Sequence, residues 1–365
     1  MAKDFHKSQC PLKIAVACGG TGGHTYPGLA TANTLALRGH KVEVLVSGRD
    51  IESSTLKGWD GVVFKTRARK GHNPFHIAHS TLRTLCHFIK NRPNVVLAMG
   101  SYASLPPVLA AWFLRIPVVL HEANAVPGKS NAFLSRFAKA VATSFPGGEG
   151  EYHCKKVVRT GLPVRQELLN QPKLDEFDNK DGFTVFITGG SQGAVAVNEI
   201  ASKTISLIAK SNAIKGLKVI HQTGKAPETK SNAEACYREA NVNAFVAEFM
   251  DMPKMGAAFK AADLVIARSG AATCAEISLF GLPSILIPLP TAVRQHQYLN
   301  AKYLADAGAA IVMNQSECTP EILAEKIISL AQDKEKLSAF GNASLSLTAK
   351  DAADSLSDLI ESITR

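Results

Sequence analysis

Residues 13–38 read KIAVACGGTGGHTYPGLATANTLALR, and residues 183–193 read FTVFITGGSQG. In each, an apolar run of strand length ends in a cluster of glycines, and a helical pattern follows, over residues 28–38 in the first and from Ala194 in the second. Strand patterns then return at residues 41–46 and from Lys218. Two such strand, glycine loop, helix, strand units, 170 residues apart, predict an α/β protein of two Rossmann-like domains, their parallel sheets facing across a cleft. Further strand patterns at 95–99, 117–120, 263–267 and 284–288 extend both sheets. Residues 161–182 hold two prolines and no apolar periodicity, so the expected division is a first domain over 1–164, a linker over 165–182 and a second domain over 183–345. The chain then closes with a helix in 346–365, amphipathic over 349–363 and expected to pack back on the first domain.

Composition removes several classes. A chain of 365 residues, 46% hydrophobic and 20% charged, is too long for one small binding module and too apolar for a disordered or fibrous one. The longest apolar stretch, 106–120, is broken by Arg115 and is too short to span a membrane, and residues 1–10 lack the apolar core of a signal peptide. Seven scattered cysteines, never spaced Cys-x-x-Cys, point to reduced thiols in cytoplasm and away from a disulfide or zinc framework. The net charge of +10 is uneven: residues 1–160 carry 21 Lys and Arg against 8 Asp and Glu, a balance of +13, and the remainder carries −3. Such asymmetry argues against a nucleic-acid partner and toward a local basic surface. The excess peaks in 65–92, where seven Lys and Arg occur without an acidic residue. Apolar residues at 82, 85 and 89 within that segment suit either a helix lying on an anionic membrane or one that faces a core.

In parallel α/β folds ligands sit beyond the carboxyl ends of the strands, so the loops there are the candidate sites. In 19–24 (GGTGGH) the glycines admit a close ligand and offer amides to an anion. This loop is not the dinucleotide fingerprint, because Thr25 stands at the third glycine position and the strand 41–46 has no acidic tip. Residues 189–193 match Gly-x-Ser-x-Gly, which makes Ser191 either a hydrolase nucleophile, with His221 or His296 as base, or part of a phosphate-cradling helix start. Residues 123–130 (ANAVPGKS) approach a nucleotide triphosphate loop, but Ala123 replaces its first glycine and Pro127 has no amide to give. In 268–276 (RSGAATCAE) small residues open a helix and the carboxylate of Glu276 can accept both hydroxyls of a ribose.

Taken together, GGTGGHTYPGLA (19–30), GSYASLPPVLAA (100–111), HEANAVPGKSN (121–131), TGLPVR (160–165), TGGSQGA (188–194), HQTGK (221–225), RSGAATCAE (268–276) and RQHQYLNA (294–301) resemble the MurG family in order and across nearly the whole chain. The resemblance implies a GT-B glycosyltransferase of peptidoglycan synthesis, acting in cell-wall biogenesis, cell shape and division. Its substrates would be UDP-N-acetylglucosamine (UDP-GlcNAc) and undecaprenyl-diphosphate-N-acetylmuramoyl-pentapeptide (lipid I). It implies that Thr21, Gly22 and Gly23 approach the donor sugar and diphosphate, with Asn124 and Arg165 touching the donor from the first domain. Ser191 would bind phosphate, the Met250 backbone would flank uracil, and Ala271, Ala272, Thr273, Cys274, Ala275 and Glu276 would hold diphosphate and ribose. Gln295 would reach the sugar. The implied reaction is an inverting transfer to the 4-hydroxyl of the acceptor with His24 as candidate base, without metal or cofactor, and the chain has no Asp-x-Asp site. The same resemblance turns 65–92 into a docking patch on the cytoplasmic face of the plasma membrane, with cell-wall synthesis and divisome proteins as candidate partners. The chain departs from the family pattern at Ser101, where glycine is usual, at Leu105, where a small residue is common, and at Val195, where arginine is frequent.

Overall fold

Strands covered on both faces must be apolar on both, and the central ones at 14–17 (IAVA), 95–98 (VVLA) and 264–267 (LVIA) are, every residue buried. The computed structural model describes residues 11–20, 22–48, 56, 59–69, 71, 73–190 and 192–364. It divides into two compact units, one built from the chain up to Arg165 together with the stretch from Ala349 onward, the other being Gln166–Thr348.

The first unit runs β1 (Lys13–Ala17), α1 (Gly22–Leu37), β2 (Lys41–Val46), β3 (Val62–Lys65), α2 (Pro74–Lys90), β4 (Val95–Ala98), α3 (Leu105–Phe113), β5 (Val118–Glu122), α4 (Lys129–Leu134), β6 (Ala140–Thr143) and β7 (Val157–Arg159). Its strands form one parallel sheet in the order β3-β2-β1-β4-β5-β6-β7. Alternation along β1 sends Ile14 and Val16 into one core, with Leu29 and Leu35 of α1, and Ala15 and Ala17 into the other, with Phe88 and Val108. The second unit runs β8 (Phe183–Thr188), α5 (Val195–Lys210), β9 (Leu217–Gln222), α6 (Thr229–Glu239), β10 (Asn243–Ala247), α7 (Met252–Ala261), β11 (Leu264–Ala267), α8 (Ala271–Phe280), β12 (Ser284–Leu286), α9 (His296–Asp306), β13 (Ala310–Val312), α10 (Pro320–Gln332) and α11 (Lys334–Ser346). Its parallel sheet has the order β10-β9-β8-β11-β12-β13, the doubly wound arrangement. Strand order reverses beside β1 in one sheet and beside β8 in the other. The loops after β1 and β4 therefore meet at one carboxyl edge, and those after β8 and β11 at the other.

Three features differ from the sequence reading. α1 begins at Gly22, six residues before the expected start, and carries Pro27 inside it at the loss of one backbone bond. The first turn is anchored to β1 by Thr25 Oγ1, which donates to Cys18 O at 2.9 Å. Residues 165–182, expected as a linker, hold two 3-10 turns, Gln166–Leu168 and Asp175–Phe177, with Leu168 and Phe177 buried. Phe177 meets Phe245 edge-on at 4.9 Å, so this stretch packs on the second unit. In α2 the buried positions are Ser80, Thr81, Thr84 and Phe88, while Phe75, Leu82 and Ile89 are 82%, 59% and 62% exposed. Small polar residues let α2 lie close against α3; Leu85 and Phe88 face the core, as the core-facing reading expects, while Phe75, Leu82 and Ile89 face outward.

The C-terminal helix α12 (Ala352–Thr364) lies against α1 and adds Leu356, Leu359 and Ile360 to the first unit's core. Arg38, just past α1, bonds Asp354 Oδ1 at 2.8 Å, Asp358 Oδ1 at 2.6 Å and Glu361 Oε1 at 3.1 Å, and Glu361 also meets His40 Nε2 at 3.2 Å. Burial opposes ionisation of Glu361, but the bonds from His40 and Arg38 prevail and hold its carboxyl below the usual range. Arg38→Ala is expected to cost about 2 kcal/mol, less than a fully buried pair because Asp358 is exposed. The urea midpoint at pH 7 reads this, and an unchanged midpoint rejects it. Because the folded pKa of Glu361 is depressed, its contribution is complete above the unfolded value of about 4.3 and fades as pH falls through the folded one. The gap between wild type and variant therefore narrows on acidification.

Candidate active site

At the end of β11 the chain turns through Arg268, Ser269 and Gly270 into α8. Gly270 caps the helix in an extended conformation, and the first intrahelical bond runs from Cys274 N–H to Gly270 O at 2.9 Å. The amides of Ala271, Ala272 and Thr273 thus have no acceptor within the helix, and the helix dipole favours an anion in front of them. This divides the run expected to bind as a whole. Cys274 is buried, its thiol pushed up to about 12 by burial, and it packs inside the fold. Ala275 and Glu276 are half-buried one turn further along. The loop is braced from behind: Arg268 donates to Ile287 O at 3.0 Å and Pro288 O at 2.9 Å, Ser269 Oγ donates to Gln297 O at 2.8 Å, and Asn300 Nδ2 donates to Ser269 O at 3.0 Å. Arg294 and Gln295 both adopt left-handed backbone, φ 54° and 53°, a conformation few non-glycine residues take. Gln295 is exposed there. Gln297, in the first turn of α9, is tied to the helix mouth through its carbonyl oxygen, and its Oε1 accepts from Leu289 N–H at 2.9 Å, a role the spacing of RQHQ does not reveal.

In the neighbouring loop after β8, Gly190 has φ 81° and faces open space, whereas a Cβ on Gly193 would fall on the Thr223 carbonyl. The first glycine therefore serves conformation and the second serves close packing. Thr188 Oγ1 accepts from Gly190 N–H at 3.1 Å. Ser191 lies outside the described residues. Both histidines available to a serine hydrolase are engaged elsewhere. His221 is buried between Tyr237 OH at 2.8 Å and Asn198 Oδ1 at 3.1 Å, with its pKa pushed down to about 3 by burial, and His296 Nδ1 bonds Val293 O at 2.9 Å. Met250 is buried just before α7, with its N–H held by Gln222 Oε1 at 2.9 Å.

In the first unit Gly22, Gly23 and His24 lie in the first turn of α1, and Thr21 is outside the described residues. Gly100, φ 93°, closes the loop after β4; a Cβ there would come 3.4 Å from His24 Cδ2 and 3.2 Å from Asn131 Nδ2. Asn131 Nδ2 donates to His121 O at 3.0 Å and Glu122 Oε2 at 2.9 Å. His121 is buried with Nε2 on Gly161 O at 3.0 Å, and burial, aided by His24 and opposed by the Gly161 bond, pushes its pKa down to about 4. Glu122 is the residue that sequence reasoning passed over. Its Oε1 accepts from Asn124 N–H at 3.0 Å and Asn124 Nδ2 at 3.3 Å, and its Oε2 accepts from Gly128 N–H at 2.9 Å. A carboxylate therefore occupies amides that a triphosphate loop would turn to its ligand, which overturns the nucleotide-loop alternative and fixes Asn124. The signal was present in an acidic residue ending a buried strand. Arg165 lays its guanidinium over the Tyr26 ring at 4.0 Å. Ser101 holds φ 68° in place of the usual glycine, and its Oγ donates to Gly19 O at 3.0 Å, tying this loop to the first.

Comparison with known proteins matches the glycosyltransferase family 28 N-terminal domain over residues 14–143 and the C-terminal domain of the same family over 184–356. A Shewanella frigidimarina protein named UDP-N-acetylglucosamine--N-acetylmuramyl-(pentapeptide) pyrophosphoryl-undecaprenol N-acetylglucosamine transferase is 36% identical over 97% of both chains. One of the same name from Rhodopseudomonas palustris is 36% identical over 98% of this chain and 100% of its own. The crystal structure of Acinetobacter baumannii MurG superposes with a TM-score of 0.76 at 33% identity, covering 96% of this chain and all of that one. The GT-B pairing of two Rossmann-like domains, the order of the glycine loops and similarity along the full length agree, and the chain belongs to the MurG family of glycosyltransferases.

Proposed function

We propose that this protein transfers N-acetylglucosamine from UDP-GlcNAc to the 4-hydroxyl of lipid I, making lipid II with inversion at the anomeric carbon. The reading is carried by the mouth of α8, three outward amides with Glu276 one turn on, in a chain similar from end to end to enzymes named for this transfer. In the step, the anomeric carbon's bond to the UDP oxygen breaks as its bond to the acceptor oxygen forms, the electron pair leaves with UDP, and the acceptor proton passes to His24. Charge grows on the departing diphosphate, where the α8 amides and the Gly190 loop would stabilise it without metal. Asn124 and Arg165 would give the first unit's contacts to the donor, and Gln295, exposed on its loop, would reach the sugar.

Membrane docking belongs to the same proposal. Among the described residues no helix is long and apolar enough to cross a bilayer. Exposed Phe75, Leu82 and Ile89 beside Arg83, Lys90 and Arg92 suit peripheral attachment to the anionic inner leaflet, close to a lipid-borne acceptor. Contacts with cell-wall synthesis and divisome proteins rest on the family resemblance alone. The test is transfer of labelled N-acetylglucosamine to a short-chain lipid I analogue in EDTA. A disaccharide-lipid product is expected; UDP-GlcNAc binding without product would refute the assigned acceptor or the metal-free step.

A further inference from the structure

Gln222 ends β9 and is 1% exposed. Its Nε2 donates to Thr188 Oγ1 and to Gly190 O, each at 3.3 Å, and its Oε1 accepts from Met250 N–H at 2.9 Å. Thr188 Oγ1 in turn accepts from Gly190 N–H. β9 lies between β8 and β10, and strands are about 4.8 Å apart, so the last side chain of the middle strand can reach the loops that leave both neighbours. One loop is the glycine turn assigned to phosphate, and the other leads to the peptide assigned to uracil. A buried primary amide with donors turned to one loop and its acceptor to the other is a spacer of defined length.

We infer that Gln222 is a positioning residue, which sets the separation between the diphosphate loop at Gly190 and the base-flanking peptide at Met250, so that both ends of UDP are held at once. This rests on the donor-site reading above. Gln222 touches no reacting atom in it and acts through the two loops. A glutamine that merely fills the core would affect uridine and UDP alike, whereas a spacer governs how much affinity the diphosphate adds to the nucleoside.

The experiment is calorimetric binding of uridine and UDP to the full chain, with thermal unfolding and donor kinetics, for wild type, Gln222→Met, Gln222→Glu and Thr188→Val. Gln222→Met, similar in size but unable to bridge, is expected to weaken UDP about tenfold and uridine about threefold, with the donor KM raised and kcat at saturating donor held within about twofold. Gln222→Glu keeps an acceptor for Met250 N–H and is expected to restore uridine binding but not UDP binding. Thr188→Val, a nearly isosteric change on the phosphate side, is expected to weaken UDP selectively and carries the test if Gln222→Met does not fold. Equal losses for uridine and UDP with a lowered unfolding midpoint, or no loss for either, overturn the inference. A wild-type chain that binds neither ligand overturns instead the donor-site reading beneath it.

Discussion

His24→Ala is expected to lower kcat by about 10²- to 10⁴-fold, the range for loss of a general base, while leaving the donor KM within about threefold. His24 stands in the first turn of α1 with its ring against Gly100, where the loops after β1 and β4 meet. A Cβ at Gly100 would touch the ring at 3.4 Å and crowd Asn131 Nδ2 at 3.2 Å, and φ 93° there favours glycine. His121, a second histidine of the first unit, is buried in β5, bonds Gly161 O through Nε2 and has its pKa pushed down to about 4, so it cannot take over. The rival role for His24 is to orient the acceptor diphosphate. That role predicts a raised acceptor KM with kcat almost unchanged, and His24→Asn, which keeps a hydrogen-bonding amide, would then recover activity. Turnover near wild type in His24→Ala would exclude the base assignment.

The two central strands β1 and β8 were legible because each is a short, nearly continuous apolar run that ends at a glycine cluster, and glycine clusters at these positions have few other uses. Both glycine loops and the α8 mouth could be placed from spacing alone, whereas β3, β6, β7, β10 and β13, of three to five residues each, passed unnoticed, and with them the strand order. The start of α1 could not be placed. Four glycines and a proline within residues 19–27 argue against helix on propensity, and only packing onto β1, with Thr25 tied to Cys18 O, overrides it. Glu122 was hidden for a different reason. Its donors come from residues 124, 128 and 131, whose convergence on one carboxylate is a property of the folded loop and not of any periodicity. The stripe of α2 was read as a choice between core and membrane because both burials use the same residues; in the fold Leu85 and Phe88 pack on the core beside Ser80, Thr81 and Thr84, and Leu82 and Ile89 stay exposed. Gln222 appeared only as part of HQTGK, since its partners lie on two loops that sheet order alone brings together.

Glu276→Ala is expected to raise the donor KM roughly a hundredfold and to change kcat little. A carboxylate accepting two ribose hydroxyls makes charged hydrogen bonds worth about 1.5 kcal/mol each at the low end, and their joint loss of about 3 kcal/mol corresponds to that factor. The helix geometry supports the assignment. Glu276 follows Ala271 by five residues, about 7.5 Å along the axis of α8, so a diphosphate on the first-turn amides leaves the sugar of its nucleoside one turn away. Ala272, Thr273 and Ala275 on the less buried side of α8 are small, and nothing bulky on that face of the helix separates the two ends. Removal of the carboxylate leaves the amides in place, so the diphosphate remains bound in the transition state and kcat holds. A second substrate sharpens the test: a 2′-deoxyribose analogue of the donor should be poorly used by wild type, yet Glu276→Ala should treat it and UDP-GlcNAc nearly alike. Lowered kcat at unchanged KM, or retained preference for the ribose form in the variant, would remove Glu276 from the ribose site and leave it a residue that serves the helix alone.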